Sequence, residues 1–318
     1  MSDAGASRAL RVVAVPLMLL AGALVALQSQ INGHLAHRMG TGPRAGFGAA
    51  LVSFAIGLVV VGVVVVLRAG HRAGLLSLVR AVREHRIGPA VMIGGLFGAF
   101  VVACQGLTVT TIGVAVFSVA LTAGQATSAL AVDHLGLGPS GRQAVDTPRA
   151  VAAAFAIAAV VVASWSALVD AFSWQTALFT LLPFLAGAGS SLQQALNGRI
   201  SRVSDPIVAA MNNFTVGTTA LLVAFLLSLL AHGSLGPLPG TWWLYLGGLI
   251  GLCFIAMGAW LVHVHGVLVL GLSMIAGQVI GAEVIQAVAD HALPSDATIG
   301  ASLLTVVGVV VALALRRR

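Results

Sequence analysis

The chain has 318 residues, of which 59% are hydrophobic and only 8% charged. A soluble domain devotes about a quarter of its residues to charge, so a surface this poor in it is solvated by lipid rather than water. The net charge of +7 comes from sixteen basic residues that are all Arg; they sit in short gaps between apolar runs, with no aromatic-studded basic face of the kind that holds nucleic acid.

Apolar runs predict membrane spans near 10–31, 46–67, 88–108, 112–132, 149–169, 176–196, 207–230, 241–262, 266–288 and 298–315. Each is long enough for a bilayer crossing. The runs are continuous rather than alternating, so they read as helices and not as barrel strands. The first is preceded by Arg8 and Arg11, as in a signal peptide, but its apolar stretch runs on to Gln28 and similar spans follow throughout. Between the second and third spans, 68–88 reads as a basic amphipathic helix on the membrane surface. Leu75, Leu76, Leu78, Val79 and Val82 share one side of it, and Arg72, Arg80 and Arg83 lie largely elsewhere. With the N-terminus cytoplasmic, fourteen Arg residues fall on the inner side and two, Arg38 and Arg44, on the outer. The positive-inside bias thus predicts a multi-pass protein of the cytoplasmic membrane with both termini inside. Trp165, Trp174, Trp242 and Trp243 fall near span ends, where amphipathic rings collect.

The chain also repeats itself. Leu27-Gln28-Ser29-Gln30-Ile31-Asn32-Gly33 at the end of the first span answers Leu192-Gln193-Gln194-Ala195-Leu196-Asn197-Gly198 at the end of the sixth. Ser53-Phe54-Ala55-Ile56-Gly57 answers Asn213-Phe214-Thr215-Val216-Gly217, and Gly94-Gly95-Leu96-Phe97-Gly98 answers Gly247-Gly248-Leu249-Ile250-Gly251. Ala123-Gly124-Gln125 answers Ala276-Gly277-Gln278, and Asp133-His134 finds an echo in Asp290-His291 one helical turn later. The sequence therefore divides into a first five-helix repeat, 1–170, and a second, 171–318. An odd number of spans per repeat makes the two enter the membrane in opposite senses, an architecture recurrent among secondary transporters. The expected fold class is an all-α integral membrane protein of ten helices in two inverted-topology repeats.

On these paired Leu-Gln…Asn-Gly and Ala-Gly-Gln motifs and on Asp133-His134, the chain resembles the drug/metabolite transporter (DMT, EamA-like) superfamily. Within it, it is similar to the YdcZ-type branch of inner-membrane exporters, in a fused ten-span form. The resemblance covers essentially everything after about residue 10. It implies alternating access by two inverted repeats and names no substrate. Smaller members of the superfamily carry an essential Glu in the first span. Here Gln28 and Asn32 occupy that region without an acid, a departure from cation/proton antiport.

Polar groups inside lipid are costly, so each is a candidate for function. Gln28 and Asn32 share a helical face, and Gln193 and Asn197 repeat it. Neutral amides both donate and accept hydrogen bonds, so these four, with Gln125 and Gln278, are the candidate substrate-binding residues. The competing readings are interhelical hydrogen bonding for all six and helix capping for Asn32-Gly33 and Asn197-Gly198. Asn212 and Asn213 are further candidates for a cavity wall. Glu283, a carboxylate within a span and aligned with Leu130, is a candidate for proton coupling. So is Asp133, unless it caps and anchors its helix. Cys104 and Cys253 read as packing residues, and His263 and His265 in a short turn are too few to hold a metal.

Signatures of enzymes are missing: there is no nucleophile elbow, no His-Glu-x-x-His and no Gly-Lys-Ser phosphate loop. ATP is thus not expected to drive the chain, and no cofactor is expected. The expected partners are a small-molecule substrate and membrane lipid, with proton coupling and a homodimer left open and nucleic acid not expected. The function that follows is secondary transport, in the export direction, of a small metabolite or drug-like molecule. A lipid or lipid-linked-sugar translocase of the same fold, or a non-transporting membrane scaffold, is the alternative.

Overall fold

The computed structural model describes residues 8–144, 146–163 and 174–290, with Leu303 and Val307. Among them the chain is helical almost throughout, the form in which a backbone in lipid satisfies its own polar groups. Helices α1 (Arg8–Met39), α2 (Gly42–Leu67), α3 (Ala69–Arg83), α4 (Gly94–His134) and α5 (Thr147–Ala163) come first. After them come α6 (Trp174–Val203), α7 (Pro206–Ser228) and α8 (Gly247–Asp290). Short 3-10 turns at Pro89–Ile93 and Trp242–Tyr245 lead into α4 and α8. Stretches within α1, α2, α7 and Trp242–Gly281 are long and apolar enough to cross a bilayer.

α2 and α7 lie close to two of the predicted spans. α2 has a Pro in its first turn but no side-chain cap, whereas α7 starts at Asp205, which accepts hydrogen bonds from the Ile207 and Val208 amides at 2.8 and 3.0 Å, with Pro206 as the first helical residue. Elsewhere the structure corrects the spans. α1 runs on to Met39 and α6 to Val203, so Asn32-Gly33 and Asn197-Gly198 lie inside helices and cap nothing. The third and fourth expected spans run together in α4, and the eighth and ninth in α8. The last expected span, 298–315, the end of the fifth and His291 lie outside the described residues.

Neither long helix is a straight rod. In α8, Gly266 is non-helical, with φ 83° and ψ 178°, a left-handed setting that favours glycine. In α4, Phe97 and Leu121 would be about 36 Å apart on a straight helix at 1.5 Å per residue. Yet both meet α6 at almost one level, Phe97 against Gly189 and the Leu121 carbonyl against Gly187. The two ends of α4 therefore pack side by side on α6.

The most extensive pairings are α1 with α8 and α4 with α6, and they use matching residues. A side chain on Gly22 would run into the Met274 carbonyl, and one on Gly277 into that of Leu19. In the other pair, Gly187 lies against the Leu121 carbonyl and Gly124 against that of Phe184. Likewise Gly248 abuts the Ser53 carbonyl and Gly95 that of Asn213, while Gly57 faces Phe214 and Gly217 faces Phe54. The Phe54 and Phe214 rings meet at 5.2 Å between α2 and α7. Close backbone approach at small residues is how helices adhere where lipid removes the hydrophobic drive between them. Here it uses the repeated glycines of the sequence.

The central core joins Met18 and Ala21 of α1, Ala126 and Ala129 of α4, Ala195 of α6 and Leu268–Leu272 of α8. Val59, Val63 and Val66 on α2 and Leu222 and Leu226 on α7 are exposed, as lipid-facing positions are. α3 is the expected amphipathic helix: Leu78 and Ala81 are buried against Ile200 and Val208, whereas Leu76 and Val79 stay exposed. His71 on α3 pairs with Asp205 at 3.2 Å, tying the helix to the start of α7. At another point, strands Gly40–Thr41 and Ser234–Leu235 pair antiparallel, so the connection after α1 holds the one after α7.

Candidate functional site

The predicted amides fall into two matching groups, each where three helices meet. In the first, Gln28 Nε2 on α1 donates to the Gly247 carbonyl of α8 at 3.0 Å. Asn32 Oδ1 and Ser53 Oγ, from α1 and α2, also press against Gly247. Both of these oxygens are buried without a hydrogen-bond partner. In the second, Gln193 Nε2 and Asn197 Nδ2 of α6 both donate to Asn213 Oδ1 of α7, at 2.8 and 3.2 Å. A Cβ on Gly94 or Gly98 of α4 would come within 2.9 Å of Asn197 Oδ1 or Gln193 Nε2, respectively. Asn212 Nδ2 donates to the Met92 carbonyl at 2.8 Å, adding a tie from α7 to the turn before α4.

Each group joins two helices of one half to a helix of the other. Gln28, Gln193 and Asn197 thus spend donors on interhelical bonds, the bonding alternative raised by the sequence. Where the first half has Ser53, the second has Asn213, whose carbonyl collects two amide donors.

A different polar group lies among the buried apolar side chains of α4, α6 and α8. Gln125 on α4 is 5% exposed, and its backbone carbonyl accepts the Ser191 hydroxyl at 2.7 Å. Its Nε2 and the Oε1 of Gln194 both approach the position of a Gly271 Cβ, at 3.7 and 3.9 Å. Gln194 Nε2 reaches Met274 Sδ at 3.8 Å, a weak acceptor, while Gln194 Oε1 is buried with no partner. An unpaired buried acceptor costs about 1–3 kcal/mol. Gly258, also buried, has no atom of the described residues within 4 Å of where its Cβ would stand. Gln278, the repeat partner of Gln125, is half-buried one turn beyond Met274.

Gln194 is the residue that motif reading passed over. It stands in the Leu-Gln…Asn-Gly motif where the first half has Ser29, and that departure from the repeat was the available signal.

Asp133 is 1% exposed. Its carboxylate accepts the Val267 and Leu268 amides at 3.1 and 3.0 Å, immediately after the Gly266 break. It therefore caps the second leg of α8 from the end of α4, a different helix from its own, which the sequence had it capping. Beyond it, Ser140 donates to the Val262 carbonyl at 3.1 Å, and Arg202 donates to that of Pro139 at 2.7 Å. The connection after α4 is thereby strapped across α6 and α8. Glu283 lies on α8, but its side chain is outside those described.

Residues 13–162 and 178–315 match the family model described as "Putative inner membrane exporter, YdcZ". No curated protein matches the sequence at a significant level. Among solved structures, one crystal structure shares the fold at TM-score 0.64 and 21% identity, over 98% of this chain and 99% of that one.

Proposed function

Because the chain belongs to the YdcZ family of inner-membrane exporters of the DMT type, we propose that it is a secondary transporter that exports a small molecule by alternating access. Both termini are cytoplasmic in this reading, as the Arg distribution favours. α4 and α8 each contain two membrane spans, which with 298–315 makes ten. The repeats, 1–170 and 171–318, are inverted and trade places around a central site.

One observation carries the reading: helix contacts occur twice with equivalent residues, Gly22 and Gly277 in one pair and Gly187 and Gly124 in the other. Two equivalent interfaces about one centre let a closed arrangement on one side exchange with its mirror on the other, at little difference in energy.

Within this mechanism Gln125 and Gln278 contact the substrate. Gln28, Asn32, Gln193 and Asn197 line the approach and hold the interhelical bonds that must persist or re-form as the repeats move. Proton coupling through Glu283 or Asp133 is the remaining part of the proposal, and Asp133 would have to leave the Val267 and Leu268 amides to take part.

The test is a flux screen in liposomes reconstituted with the full chain, run with and without a pH gradient. The expected result is flux of at least one compound that falls by an order of magnitude or more in Gln125→Ala, with the variant still inserted and folded. Unchanged flux in Gln125→Ala and Gln278→Ala together would remove the site, and dependence on the pH gradient would decide the coupling.

A further inference from the structure

α3 has two faces, and the fold uses one of them. Leu78 and Ala81 are buried with Ile200 of α6 and Val208 of α7, and a Cβ on Gly74 would strike the Asp205 carboxylate at the start of α7. The opposite face carries Arg72, Leu76, Val79, Arg80 and Arg83. Their offsets of 0, 4, 7, 8 and 11 are those of a single helical face. All five are exposed, Leu76 by 66% and Val79 by 42%. Two large apolar side chains therefore stand among guanidinium groups on the side turned away from the protein.

The neighbouring helix places that side at the bilayer surface. α2 is long and apolar enough to cross the membrane, and one extended residue, Arg68, separates it from α3. Arg72 reaches back to donate to the Val66 carbonyl in the last turn of α2, where Val66 and Leu67 are themselves exposed. The outward face of α3 thus begins where the lipid-facing side of α2 ends. Apolar side chains at that level enter the boundary between headgroups and acyl chains, while long cationic ones reach the phosphates.

The charge on this segment is unbalanced. Residues 68–86 hold five Arg and one carboxylate, Glu84, which pairs with Arg86 at 2.9 Å. The nearby Asp205 is taken by His71 and by the Ile207 and Val208 amides. Among the described residues no carboxylate pairs with Arg80 or Arg83, which are three apart and so neighbours on the helix. Guanidinium forks match phosphate oxygens. A zwitterionic headgroup brings its own cation to such a pair, whereas an anionic one supplies the missing charge.

We propose that the outward face of α3 is a binding surface for anionic phospholipid, with Arg80 and Arg83 on the headgroup phosphate and Leu76 and Val79 among the upper acyl carbons. It requires that α2 crosses the bilayer and holds whatever the protein carries, so it stands or falls apart from the transport reading.

The experiment uses the full-length protein with Cys104 and Cys253 replaced, reconstituted into phosphatidylcholine vesicles with phosphatidylglycerol as the minor component. Ala73→Cys, exposed and seven residues before Arg80 on the same stripe, carries a bimane fluorophore. Quenching is compared between equal mole fractions of phosphatidylglycerol and phosphatidylcholine bearing the same nitroxide near the headgroup. The phosphatidylglycerol label is expected to quench at least about twice as strongly, because anionic lipid gathers at clustered Arg. Salt should lower the ratio, and Arg80→Gln with Arg83→Gln should return it to one. The same fluorophore at Leu222→Cys, on an exposed position of α7 away from α3, should see both lipids equally. Equal quenching at Ala73→Cys, an excess that survives the double Gln variant, or the same excess at Leu222→Cys would overturn the proposal. So would quenching by neither lipid, which would put the face in water. Should the double variant fail to insert, the salt dependence and the contrast with Leu222→Cys still decide.

Discussion

Glycine does two jobs in this chain, and substitution by Ala separates them. At Gly124 and Gly277 the added methyl would overlap the Phe184 and Leu19 carbonyls. Backbone cannot move aside as a flexible side chain can, so the helices must part. Ala gains about 1 kcal/mol of helix propensity over Gly, but overpacking costs about 1–3 kcal/mol and the lost contacts along the seam add to it. Gly124→Ala and Gly277→Ala should therefore lower the thermal midpoint of the purified protein. Gly258→Ala, with nothing near its Cβ, should leave the midpoint unchanged or raise it. The opposite signs are the check, because propensity alone would raise all three. The glycines were visible as a repeated pattern in the sequence. Which of them face a carbonyl and which face space was not, since that depends on the side each neighbouring helix presents.

Among the elements, two aspartates fix helix starts, Asp205 that of its own helix and Asp133 one far along the sequence. Asp205 caps α7 and also pairs with His71 on α3; Asp133 caps the second leg of α8 from the end of α4. Loss of an N-cap costs about 1 kcal/mol, and hydrogen bonds to a charged group run to about 1.5–3 kcal/mol. Asp133 is more deeply buried and leaves two amides without water when removed. Asp133→Ala should therefore destabilise the protein more than Asp205→Ala, as measured by thermal unfolding. Asp205→Ala should have its own signature, faster proteolysis within 68–88 as α3 loses its tie to α7. The amphipathic character of α3 was legible from the spacing of Leu75, Leu78 and Val82 against its Arg residues. Its partner was not, because His71 and Asp205 are far apart in the chain and neither belongs to a motif.

For the whole molecule, the Arg distribution and the two connections joined by strand pairing make a joint prediction about sidedness. Arg86 and Ser234 are both exposed, and the proposed topology puts them on opposite sides of the membrane. In a background with Cys104 and Cys253 replaced, a membrane-impermeant thiol reagent applied outside intact cells should label Ser234→Cys and spare Arg86→Cys. Labelling of both or neither from that side would reject the ten-span inverted arrangement, which also requires that α4 and α8 each cross twice.

Composition and periodicity by themselves determined that this is a helical membrane protein, roughly where its helices lie, and that its two halves are related. A lipid solvent leaves a chain little other choice, and a duplicated fold keeps its contact residues in register. They did not decide where α1 and α6 end, because polar Asn-Gly pairs look alike inside a helix and at its terminus. Nor did they show which amides spend their donors between helices and which keep a buried oxygen unpaired. Gln193 and Gln194 are adjacent and chemically identical, and only the packing of three helices gives one of them Asn213 as an acceptor and leaves the other's oxygen without a donor.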